Sequence, residues 1–186
     1  MALLVPAAAG CSYSRQVAVT SPPGVTQQLV YRALERAVAQ LDMAPFVGRR
    51  VTLEVWMQAG EQAFVRQRLS AWLEERGIHV TSATADLTLK VFVSVLGTDR
   101  GETLIGVPAF QLPVFTVPIP EIALFKWVRN RGVAEVEAYA FDATSGAFVR
   151  KTEVAVAGAK HDDYTVLLVF SFTLSDTERR LGGPPR

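Results

Sequence analysis

Two histidines, His79 and His161, and a scatter of acidic residues are the side chains of this 186-residue chain with the means for acid, base or metal chemistry. His161-Asp162-Asp163 offers three ligating groups in a row, but metal sites need ligands that converge, and three neighbours on one turn do not. His79, within Ile78-His79-Val80, reads as a structural strand histidine. Thr98-Asp99-Arg100, after the end of a strand, is the candidate polar loop, because loops carry function more often than strands do. The competing reading is that Asp99 and Arg100 cap turn backbone or pair with each other. Glu135 and Glu137 share a strand face in the manner of paired carboxylates, and without burial they read as a solvated face. The chain has no Gly-x-Ser-x-Gly elbow, glycine-rich phosphate loop or dinucleotide fingerprint. No catalytic residue, metal site or cofactor is therefore expected, and the chain does not read as an enzyme.

The one cysteine carries a different chemistry. Leu3-Leu4-Val5-Pro6-Ala7-Ala8-Ala9-Gly10-Cys11 is a short apolar run, then small residues, then a thiol, the layout of a bacterial lipoprotein signal in which the cysteine is acylated. Ala8 stands where such signals usually have leucine, and the run lacks a basic start. One acyl chain holds a protein to a bilayer marginally and several hold it firmly. On this reading residues 1–10 are a signal remnant, Cys11 is the lipidation site, 11–25 is a tether, 26–176 is a single domain and 177–186 is a flexible tail. Ser12 after the cysteine resembles the pattern that sorts lipoproteins to the outer membrane, facing the periplasm.

Composition narrows the partners. Hydrophobic residues make up 49% and charged residues 20%, as in a globular protein. The net charge of +1 gives no field that points to nucleic acid. Trp56, Trp72 and Trp127 fall on different elements, so no stacking platform for bases is indicated. A single cysteine excludes an intrachain disulfide.

The elements follow from periodicity. Residues 26–42 read as an amphipathic helix with Val30, Leu34, Ala37, Val38 and Leu41 on one face and Thr26 as N-cap. Residues 50–57 alternate as a half-buried strand. A second helix spans 61–76, with Phe64, Val65, Leu69, Trp72 and Leu73 on its stripe and Gly77 as C-cap. A strand over 86–97 follows, then another over 133–141. The Asp142–Gly146 turn leads to a hairpin partner over 147–157, and a last strand covers 164–174. The expected fold class is α+β: a mixed, mainly antiparallel sheet with two helices on one face.

One stretch breaks this order. Thr103 to Pro120 is uncharged throughout, and Pro108, Pro113, Pro118 and Pro120 exclude a helix and most of a central strand. Such a segment either covers its own sheet or forms a contact surface. In the second case Ile105, Val107, Phe110, Phe115 and Ile119 are the candidate interaction residues.

Leu96-Gly97-Thr98-Asp99-Arg100, Leu104-Ile105-Gly106-Val107-Pro108, Pro120-Glu121-Ile122-Ala123-Leu124-Phe125-Lys126 and Gly132-Val133-Ala134 resemble a family of uncharacterised bacterial envelope lipoproteins, over about residues 26–175. In architecture the chain is loosely similar to lipoproteins related to the curli secretion channel. The resemblance implies an envelope location but no activity. The sequence therefore leads to a membrane-anchored, non-enzymatic assembly or interaction module, with a protein partner or a second copy as its contact. The alternative is a carrier for a lipid or other apolar ligand. No nucleic-acid partner is expected.

Overall fold

The computed structural model describes residues 12–16, 24–58, 60–111 and 118–177. Cys11, Phe115 and the tail after Thr177 lie outside them, and Phe110 and Ile119 are placed by backbone alone. The fold is α+β, as expected: two α-helices and, among the described residues, a mixed and mostly antiparallel eight-stranded sheet. The span read as one domain is organised in two compact units, and the longest strands contribute residues to both.

The first unit comprises residues 23–98 and 131–159. Helix α1 (Gly24–Val38) buries Leu29, Ala33, Leu34, Ala37 and Val38, a stripe at helical spacing. Strand β2 (Arg50–Met57) sends Val51, Leu53 and Val55 into the core, and helix α2 (Gln62–Glu75) meets them with Val65, Leu69 and Leu73. Phe64, expected in that stripe, is exposed, and its ring rests against Tyr31 at 4.7 Å. Strand β3 (His79–Val80) and the start of β4 (Leu87–Val107) both lie parallel to β2, with Val51 opposite Val80 and Leu53 opposite Leu89. Parallel neighbours need a crossover, and α2 supplies the one into β3.

Strand β7 (Ile122–Asp142) brings Ala134, Val136, Ala138 and Ala140 to the same core, the small side chains expected where a helix packs closely. At Gly132 the approach is closer still, since a Cβ there would fall 2.4 Å from the Leu29 carbonyl oxygen. The turn after β7 is closed by Asp142, whose Oδ1 accepts from the Ser145 N–H at 2.7 Å and the Ser145 hydroxyl at 2.8 Å. Gly146 follows with φ +69°, a conformation glycine adopts without a Cβ penalty. The returning chain forms the short β8 (Phe148–Lys151) beside β7, then β9 (Ala155–Val166).

The second unit contains the described residues 12–16, 99–111, 118–130 and 160–177. Strand β1 (Ser12–Gln16) pairs antiparallel with β4, so part of the stretch read as a tether is ordered sheet. Two two-residue strands, β5 (Phe110–Gln111) and β6 (Pro118–Ile119), pair between β4 and β7. Thr103–Val107, read as the opening of an irregular apolar segment, instead completes the 21-residue β4. Its first proline, Pro108, comes directly after the strand, where proline costs no ladder bond. The expected last strand is also different. Residues 164–174 are a hairpin made of the end of β9, a turn at 167–169 and strand β10 (Phe170–Ser175).

A candidate interaction surface

The β9–β10 hairpin separates its side chains by face. Tyr164 stands opposite Phe172, Val166 opposite Phe170 and Asp162 opposite Leu174. The intervening pairs are Thr165 with Ser171, Asp163 with Thr173 and His161 with Ser175, all polar. Successive strand residues point to opposite faces, so the hairpin is polar on one side and, apart from the buried Asp162, apolar on the other. Every polar pair is closed on itself. Thr165 and Ser171 share a hydroxyl–hydroxyl bond of 3.2 Å, Thr173 Oγ1 donates to Asp163 at 2.6 Å, and His161 Nδ1 lies 3.1 Å from Ser175 Oγ.

The apolar side continues on to β7. Trp127 and Tyr164 stack at 5.7 Å, and Tyr164 and Phe172 at 5.0 Å, both pairs 12° from parallel. Phe125 adds a tilted contact to Tyr164 at 6.4 Å, and the Arg129 guanidinium lies 4.8 Å from the Trp127 ring centre. These contacts leave much apolar surface in water. In this one unit Ile105, Val107, Leu167, Leu168, Val169, Phe170, Phe172 and Leu174 are exposed, Val169 to 74% and Phe170 to 65%; Ile122 and Leu124 are exposed too, on the face of β7 opposite to Phe125 and Trp127. Single exposed hydrophobes are ordinary, but a concentration of this kind in one unit is not.

The turn is where the exposure peaks. Leu167 and Leu168 take φ values of +50° and +69°, which bulky residues rarely adopt. Hairpin turns with positive φ normally use Asn, Asp or Gly. Here the Leu167 N–H donates to the Leu124 carbonyl at 2.8 Å and the Leu168 N–H to the Ala123 carbonyl at 3.1 Å. The neighbouring strand therefore holds a turn that its own residues disfavour.

Of the residues singled out from sequence, Ile105 and Val107 are exposed on this unit near the end of β4. The Phe110 and Ile119 backbones pair directly, and Phe115 and Cys11 lie outside the described residues. Thr98, Asp99 and Arg100 do not form a loop; all three lie inside β4, and Asp99 is exposed. The alternating apolar pattern of residues 87–95 ends before them, which is why the sequence places the strand end too early. Arg100 buries its Nε without a hydrogen-bond partner among the described residues, as Trp127 does its Nε1. His161 and Asp163 share one strand face while Asp162 is buried on the other, so the three do not converge. Among the described residues no group of three or more His, Cys, Asp or Glu is arranged to hold a metal ion.

Two features were not visible in the sequence. Lys126 Nζ bridges Glu121 at 2.8 Å and Glu102 at 3.2 Å. Burial works against the charge on Lys126, but its hydrogen bonds to Glu121 and Glu102 outweigh this and raise its pKa above the ordinary lysine value. In the first unit a cleft of about 440 Å³ opens between β2 and α2, lined by Leu53, Val55, Trp56, Gln62, Ala63 and Arg66 among others. No helix among the described residues is long and apolar enough to cross a membrane. Comparison of the chain with protein-family models, with curated proteins and with solved structures finds no match.

Proposed function

We propose that this chain is a non-enzymatic assembly or interaction module of the bacterial cell envelope. It is held at a membrane through a lipidated Cys11 and makes its contacts through the apolar surface of its second unit. The observation that supports this most is the distribution of the exposed hydrophobes on that unit. The hairpin's polar side chains are bonded to one another on one face, while Phe170, Phe172 and Leu174 on the other, with Ile105 and Val107 on β4, are left in water. A face that exposes hydrocarbon and few polar groups is suited to being covered rather than to binding a polar substrate.

The anchor is tested by radioactive fatty-acid labelling of cells expressing wild type and Cys11→Ala. Label that depends on Cys11 is the expected result, and its absence removes the membrane attachment. The surface is tested with Ile105→Ser, Phe110→Ser and Phe115→Ser together, followed by native mass spectrometry and circular dichroism. Loss of discrete complexes with the fold retained is expected. Unfolding would show instead that the segment covers its own core, and a co-purified small molecule would indicate a carrier.

A further inference from the structure

We propose that the β9–β10 turn, Leu167-Leu168-Val169-Phe170, inserts into the interfacial and outer hydrocarbon region of a lipid bilayer. This rests on the reading of the second unit as a contact surface, and it names the partner of one end of that surface.

Four observations converge on lipid. First, Tyr164 to Ser175 is a run of twelve uncharged residues between Asp163 and Asp176, and the turn sits at its centre. Protein interfaces orient a partner with polar and charged groups around an apolar core. The side chains of Leu167 to Phe170 offer only hydrocarbon. Second, the Leu167 and Leu168 amides are already bonded to β7 carbonyls. In a medium without water each unsatisfied backbone group is costly, and these two donors are satisfied before entry.

Third, Trp127 and Tyr164 stand behind the turn in one stack with Phe172. Tyr164 lies two residues before Val166, where β9 ends and the turn begins, about 7 Å along the strand. An amphipathic side chain such as Tyr164 at that distance fits the headgroup level when a tip enters about 5–10 Å, while Trp127, whose Nε1 is buried, backs its ring. Fourth, Ser12, which follows the acylation candidate in sequence, lies at the same end of the unit. Ser12, the residue after Cys11, pairs with Ile105. Gly106, next along β4, packs on the Ile122 carbonyl and the Leu124 amide. Leu124 in turn accepts the bond from the turn residue Leu167. The described chain therefore begins, at Ser12, on the same side of the unit as the leucine turn.

The test removes the lipid anchor and asks whether the turn binds alone. In a full-length Cys11→Ser background, Val169→Cys is labelled with the environment-sensitive fluorophore NBD, and Val156→Cys, an exposed site in the first unit, serves as the reference. With phosphatidylcholine vesicles, a blue shift at position 169 and none at 156 is expected. Leu168→Asp with Val169→Asp, in the same background, should float with those vesicles at least about tenfold less than the parent, because carboxylates resist entry into hydrocarbon. No shift at 169 overturns the proposal, as does an equal shift at 156, which is non-specific adsorption. A concentration-dependent shift without vesicles overturns it too, since a second copy would then cover the turn. Because Cys11 is absent, none of these outcomes depends on lipidation. A negative result at the turn leaves the assembly role of Ile105 and its neighbours to be judged by its own experiment.

Discussion

Tyr164 and Phe172 face each other across the β9–β10 pair, with ring centres 5.0 Å apart and planes 12° from parallel. Both rings belong to the apolar face, and Trp127 extends the stack to a third strand. Such pairs contribute about 0.5–1.5 kcal/mol beyond the area they bury. Phe172→Ala should lower unfolding free energy by about 1–2 kcal/mol, most of it recovered in Phe172→Tyr. A double-mutant cycle with Tyr164→Ala, read by urea denaturation, isolates the pair. A coupling energy near zero would show the stack to be incidental.

Gly132 and Gly146 should respond very differently to alanine. A Cβ at Gly132 meets the Leu29 carbonyl oxygen at 2.4 Å, a backbone atom that cannot rotate away. Overpacking of this kind costs about 1–3 kcal/mol or more. At Gly146 nothing lies within 4 Å, and only the φ of +69° opposes a side chain, at a cost of about 1 kcal/mol. Thermal denaturation of the two variants should therefore rank Gly132→Ala clearly below Gly146→Ala.

The leucine turn carries strain that a better turn sequence would release. Left-handed backbone costs a bulky L-residue roughly 1–2 kcal/mol. Leu167→Asn with Leu168→Gly keeps the φ values of +50° and +69° accessible and should raise stability by about 1–2 kcal/mol. Chemical denaturation measures this. A loss of stability would mean that the two leucine side chains make contacts that outweigh the strain.

Acid should weaken the first unit through two carboxylates. Side-chain and backbone hydrogen bonds from Arg50 hold Asp86 below the usual carboxylate range, and bonds from Ser145 do the same for Asp142. A carboxyl whose pKa is lowered in the folded state contributes its full stabilisation above the ordinary value near 4. That contribution is lost as pH falls through the folded-state value. Urea midpoints followed from pH 6 to pH 2.5 should drop below about pH 4 in the wild type. Asp86→Asn with Asp142→Asn should start lower and flatten that drop.

Most of the first unit was legible in the sequence because its helices and its strand β2 each obey one period, although the strand expected over 147–157 is divided between β8 and the start of β9. Val51, Leu53 and Val55 alternate, Val65, Leu69 and Leu73 recur at helical spacing, and both patterns coincide with burial. The second unit hid its organisation for physical reasons. β4 continues through Gly97-Thr98-Asp99-Arg100-Gly101, whose composition signals a turn, because pairing with its neighbours outweighs local preference. The β9–β10 hairpin read as one strand because Leu167-Leu168-Val169 carries no turn residue. Three turn residues also keep the arms in phase, so the even-numbered positions stay apolar on both sides of the turn. A signal was nevertheless present. Thr165 with Ser171 and Asp163 with Thr173 lie symmetrically about Leu168, the arrangement two facing strands require.

Because the amides of Leu167 and Leu168 find their acceptors on β7, the turn has no locally favoured nucleus. Sequence-driven hairpins close in microseconds from their own loop, whereas this one must wait for a strand more than forty residues upstream to be in place. Closure of the β9–β10 hairpin is thus tied to β7 rather than to its own loop. A chain that has emerged only as far as β9 leaves Tyr164 uncovered by Phe172, and the closing hairpin completes the stack that begins at Trp127.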